Sequence, residues 1–158
     1  MTESINEINK SESDVKSDDL NKKKDLTESS PPQKPIKPPK PEDKPFKEFI
    51  NEEFIPSLKQ SLVKRGVESN SIELIEAQRP VVGGKCSMVY GQIDHGRRFW
   101  LSFSEEKITS LKNISLAERG SEPFLLESFL IDEKKTTLAL LVSRLLQRLN
   151  GQKWLDAN

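Results

Sequence analysis

Cys86-Ser-Met-Val-Tyr-Gly-Gln-Ile-Asp-His-Gly-Arg-Arg-Phe-Trp-Leu-Ser-Phe103 is the stretch on which the fold turns. Its second half alternates: Phe99, Leu101 and Phe103 fall on one side of an extended chain, Arg98, Trp100 and Ser102 on the other. Cys86 to Ile93 reads as the preceding strand. Ile93-Asp94-His95-Gly96-Arg97 reads as the hairpin between them, with Gly96 supplying the positive φ of a short turn. An antiparallel pair with one apolar face needs further strands and a cover.

Both are legible on either side. Upstream, Ile72 to Ala77 reads as a weak strand closed by Arg79-Pro80, and Gly83-Gly84 is a turn. Downstream, Glu105-Glu106 turns into a strand around Lys107 to Leu116, and Phe124 to Ile131 reads as a last one. Before the sheet, Phe46, Ile50, Phe54, Leu58 and Leu62 recur every fourth residue, with Phe49, Ile55 and Val63 widening the stripe. Pro56 predicts a kink or a split into two helices, and Gly66 a stop. After the sheet, Leu138, Leu141, Val142, Leu145 and Leu149 form a helical stripe, capped by Thr136 or Thr137 and stopped at Asn150-Gly151. The expected fold is α+β: an N-terminal helix, an antiparallel meander and a C-terminal helix packed on one sheet face.

Composition divides the chain in the same place. Residues 1–45 hold seven apolar side chains and seven of the ten prolines, and residues 46–158 hold all ten aromatics. The expected organisation is therefore a disordered tail over 1–45, with a Pro-rich linker over 31–45, and one domain over 46–158. Pro31 to Pro41 has P-x-x-P spacings at Pro32/Pro35 and Pro35/Pro38. These suit a semi-rigid spacer or, as the sharper reading, a ligand for an aromatic groove.

Whole classes of function drop out. One cysteine, Cys86, and one histidine, His95, supply no disulfide, no iron–sulfur or Cys-based zinc site and no two-His motif. The tail carries nine Lys against ten Asp/Glu, and the remainder 16 bases against 15 acids, so a basic nucleic-acid-binding surface is not expected. The longest dense apolar run, Leu138 to Val142, is too short to span a bilayer, and the first residues lack both a signal-peptide h-region and transit-peptide character. A water-soluble protein of a reducing compartment is the expectation.

Catalytic motifs fail on inspection. Gly83-Gly84-Lys85-Cys86 resembles the end of a phosphate-binding loop, but Arg79 stands where its first glycine belongs and Cys86 replaces the magnesium ligand. Asp94-His95 reads as a turn before it reads as part of a triad, and Cys86 beside Met88 as a structural thiol. The pairs Glu105-Glu106 and Asp132-Glu133 read as solvated turn acids. The expectation is no enzyme, no cofactor and no metal. Binding residues remain: Trp100 with Arg97 and Arg98 on one hairpin, and Trp154, which is either an anchor for a partner or a plug folded back into the core. Trp100 is exposed if the helices cover the Phe99 face and nothing covers the other.

Three blocks resemble a known family. They are Lys44-Pro-Phe-Lys-Glu-Phe-Ile50, Arg98-Phe-Trp-Leu-Ser-Phe103, and Leu125-Leu-Glu-Ser-Phe-Leu-Ile-Asp-Glu-Lys-Lys-Thr-Thr-Leu138 running on to Leu149-Asn-Gly-Gln-Lys-Trp-Leu155. Over residues 44–158 the chain resembles subunit V of the photosynthetic NDH complex, the ferredoxin–plastoquinone oxidoreductase of cyanobacteria and chloroplasts. Gly151 departs from the alanine more usual in that family.

The resemblance implies a non-catalytic peripheral subunit without a cofactor of its own, serving cyclic electron transport in photosynthesis. It would stabilise the ferredoxin-docking region beside subunits I and S, on the cytoplasmic side of a cyanobacterial thylakoid membrane. Ferredoxin itself would be a further candidate contact, with no nucleic acid, and the membrane would be reached only through partner subunits. Arg97, Arg98, Trp100 and Trp154 would be the interface candidates. Two other classes remain open, a transient assembly factor for a thylakoid complex and a small-ligand-binding domain of unknown chemistry.

Overall fold

Residues 38–129 and 135–155 are described by the structure, a computed structural model. Of the tail expected over 1–45, residues 1–37 lie outside the described residues, as do Leu130 and Ile131 of the last expected strand. Ahead of the aromatic stripe, the chain already makes a 3-10 turn over Pro41–Asp43, so ordered structure starts before the expected boundary at residue 46.

The N-terminal helix runs over residues 46–63 in three pieces: α1 (Phe46–Glu48), a π-helical segment (Phe49–Phe54) and α2 (Ile55–Val63). Pro56 explains the π segment. Its nitrogen has no proton to donate, and in an α-helix its ring meets the carbonyl one turn earlier. In the wider turn the Ile55 amide bonds instead to the carbonyl of Ile50, five residues back. The expected kink takes this form, and the helix continues without a break. Phe49, Ile50, Phe54, Leu58 and Leu62 are fully buried. Val63, expected on the stripe, is 67% exposed because it falls in the last turn, past the sheet-facing side. Gly66, at φ 73°, ends the helix, with the amides of Gly66 and Val67 bonded to the carbonyls of Val63 and Leu62.

Five strands follow: β1 (Ser69–Gln78), β2 (Lys85–Ile93), β3 (Arg97–Phe103), β4 (Lys112–Ala117) and β5 (Phe124–Phe129). They form one antiparallel sheet in sequence order, the expected meander. The fourth strand starts later than expected, since residues 105–110 form turns in which Ser110 donates to the carbonyls of Glu105 and Lys107.

Helix α3 (Leu138–Gly151) closes the domain. Thr137 caps it, accepting from the Leu140 amide at 3.2 Å. The stop differs from expectation. Gly151 is helical, and the left-handed residue is Lys153, at φ 56°. The amides of Lys153 and Trp154 reach back to the carbonyls of Asn150 and Leu149, which swings Trp154 into the core.

Both helices lie over one face of the sheet. Their buried residues form a single core with Val89, Ile93, Phe99, Leu101, Phe103, Ile114, Leu116 and Phe129. Gly91 sits in register opposite Phe99, and a Cβ there would lie 2.1 Å from the Phe99 ring, so the strand carries glycine where the ring packs on bare backbone.

Candidate interaction surface

Strand alternation determines what the helix-free face carries. Residues one position off the core set turn away from the helices: Met88, Tyr90 and Gln92 of β2, Arg98, Trp100 and Ser102 of β3, and Asn113, Ser115 and Ala117 of β4, of which Met88, Ser102, Ser115 and Ala117 are buried. The pairing registers align Glu73, Tyr90, Trp100, Ser115 and Leu125 in one row across all five strands. A bulge between Ile114 and Ser115 brings Leu125 into that row.

At the centre of the row, Trp100 and Tyr90 stand with ring centroids 5.6 Å apart, tilted at 44°. The Arg98 guanidinium lies 5.5 Å from the Trp100 ring centroid and donates to the carbonyl of Ser121 at 2.7 Å. Trp100 and Arg98 are half-buried, whereas Leu125 is 39% exposed at the β5 end. The structure thus groups Trp100 with Arg98, as the sequence suggested.

The other two expected members lie elsewhere. Arg97 is adjacent in sequence to Arg98, so it points to the opposite side of the strand. Its Nε donates to Glu118 at 3.3 Å and its Nη1 to the carbonyl of Trp154 at 3.4 Å, and its guanidinium lies 5.7 Å from the Trp154 ring. Trp154 is 3% exposed, and its indole N–H donates to Glu118 at 2.6 Å. It is therefore the core plug, with no surface to offer a partner, and Arg97 is the clasp that holds it. The sequence reading missed Tyr90 and Glu118. Tyr90 could have been placed by the alternation of β2 against Trp100, but no local pattern marks Glu118, which meets its partners only after folding.

The remaining chemical candidates sit in ordinary structural surroundings. His95 is exposed in the hairpin turn, at φ 61° beside Gly96 at φ 73°. A hollow of about 290 Å³ beside it is lined by Gly66, Asp94, Arg97, Lys153 and Trp154. Asp94 is committed to the backbone amide of Glu68, and Arg97 to Glu118. Cys86 is half-buried, and desolvation raises its thiol above the usual range, which disfavours the reactive thiolate. Lys85, of the loop-like Gly83-Gly84-Lys85, pairs with Glu76 at 3.0 Å. Among the described residues no group of three or more His, Cys, Asp or Glu is placed to hold a metal ion, and no helix is long and apolar enough to cross a membrane.

A second concavity, of about 560 Å³, lies between residues 40–46 and the 106–109 turn, with Phe46 and Ile108 among its walls. Lys40, Lys107 and Lys135 alternate there with Glu42, Asp43 and Glu106. One of its acids is already engaged, since Glu42 accepts from the Leu138 amide at 2.7 Å.

No curated protein matches the chain. One family does, described as "Protein of unknown function (DUF2996)", and the match takes in residues 40–156, from the Pro41 turn through the Trp154 plug. The chain belongs to that family.

Proposed function

We propose that the protein is a non-catalytic peripheral subunit of the photosynthetic NDH complex, bracing its ferredoxin-docking region and so supporting electron transfer from ferredoxin to plastoquinone. Support for the complex comes from the resemblance of residues 44–158 to subunit V. Support for a binding role comes from one structural observation: a helix-free sheet face centred on Trp100, Tyr90 and Arg98. Trp, Tyr and Arg are the side chains most enriched where a few residues carry most of an interface's binding energy. The partners in this reading are subunits I and S, with association to the thylakoid membrane, on its cytoplasmic side, made through them.

The test is a pull-down of the tagged full chain from detergent-solubilised cyanobacterial thylakoids, with the recovered proteins identified. Recovery of subunits I and S supports the proposal, and recovery of no NDH subunit removes it. Co-migration with the mature complex on native gels separates a resident subunit from a transient assembly factor, which would appear only with partly assembled forms.

A further inference from the structure

We infer that the helix-free sheet face docks a protein surface that is apolar at its centre and places a carboxylate over Arg98. This inference rests on the subunit reading above and names the chemistry of the contact.

Arg98 carries the argument. Its neighbours among the described residues are the Trp100 ring and the Ser121 carbonyl, neither of which carries a formal negative charge. Among the described residues it makes no ion pair, whereas Arg97, one position earlier, has Glu118. Beyond the donor given to Ser121 the guanidinium has further N–H groups, and its planar fork matches a carboxylate bidentately. Desolvation by a docking partner strengthens that charge pairing, and the neighbouring aromatic pair supplies apolar area.

The rest of the row narrows the partner. Leu125 extends the apolar strip towards β5, and Ser115, 2% exposed, lies between it and Trp100. At the other end Glu73, exposed on β1, stands in register with Tyr90. A uniformly negative ligand such as nucleic acid meets repulsion at Glu73, and the face offers no row of lysines to offset it. A folded protein patch with one acid opposite Arg98 suits both ends.

The experiment uses the full chain with a photo-cross-linking phenylalanine analogue at Leu125, added to solubilised NDH complex from cells lacking the chain. Arg98→Glu and Trp100→Ala are compared with the wild type, and Val63→Ser, on the opposite side of the domain, is the control. The expected result is a cross-link to a peptide of an NDH subunit that carries Asp or Glu. About tenfold weaker association is expected for Arg98→Glu and Trp100→Ala, with none for Val63→Ser. Arg98→Lys should recover part of the loss, which a merely structural role for the charge would not require. Circular dichroism of each variant shows that it is folded.

Full association of both variants, or co-migration of the chain without a cross-link from position 125, overturns the docking face while leaving the subunit reading intact. A cross-link to a second copy of the chain overturns it in favour of self-association, and one to nucleic acid overturns the protein partner. Failure of the wild-type chain to join the complex at all removes the subunit reading, and this inference with it.

Discussion

Lys153 occupies the left-handed position that ends α3, a conformation disfavoured for any residue with a Cβ. It is tolerated because the turn it makes delivers Trp154 to the core and to Glu118. Glycine takes that conformation without strain, so Lys153→Gly is expected to stabilise the domain by about 0.5–1 kcal/mol, read as a rise in melting temperature of a few degrees. Lys112 makes the opposite point. It is 3% exposed, in register with Phe103 and Phe129, and its ammonium donates to the carbonyl of Ser110 at 2.7 Å. Desolvation depresses its pKa below the ordinary lysine value. The unfolded chain therefore holds this proton to higher pH than the folded one, and stability should rise as pH climbs from the depressed value towards about 10.4. Lys112→Met should remove that rise and stabilise the protein near neutrality by about 1 kcal/mol, measurable by urea unfolding at several pH values. Neither residue was readable in advance. Gly151 looked the natural stop, and Lys112, although it alternates with Ile114 and Leu116, carries a charge that argues against a buried position.

Among the elements, the helices and the meander were legible because their apolar periods, near four and two, survive in the sequence. The π segment was legible only as the presence of Pro56, which predicts a disturbance and not its form. Two contacts between elements escaped altogether. In the first, Glu42 places its carboxylate on the N-terminal amide of α3, joining positions 96 residues apart, while Lys44 binds Glu52 at 2.9 Å and Glu53 at 2.6 Å. The segment ahead of the N-terminal helix thereby pins both helices. Glu42→Ala is expected to cost about 1 kcal/mol, and Glu42→Gln, which keeps an acceptor without the charge, only a few tenths. For the same reason a chain starting at residue 38 should melt several degrees above one starting at residue 46. The second contact is Phe99 on Gly91. Gly91→Ala drives a methyl group into that ring and should cost about 1–3 kcal/mol, through strain in the β2–β3 pair.

At the scale of the molecule, the site was half legible. Alternation alone placed Trp100 and Arg98 together on the face away from Phe99, and the structure adds Tyr90 beside Trp100 on the neighbouring strand. Sequence adjacency misled for Arg97, because neighbours on a strand point to opposite sides. Trp154 lay open between anchor and plug until the turn at Lys153 settled it. What is left is a sheet whose one face is filled by two helices and whose other face carries an aromatic pair beside an arginine that makes no ion pair among the described residues. In the proposed reading that face holds the domain against its complex, and the chain contributes no reaction step of its own. The most direct measurement is ferredoxin-driven plastoquinone reduction by thylakoid membranes lacking the chain, before and after the purified protein is added back. The account predicts a reduced rate that the wild-type chain restores and the Trp100→Ala chain restores only at about tenfold higher concentration. An unchanged rate in membranes without the chain, or equal rescue by both proteins, would contradict it.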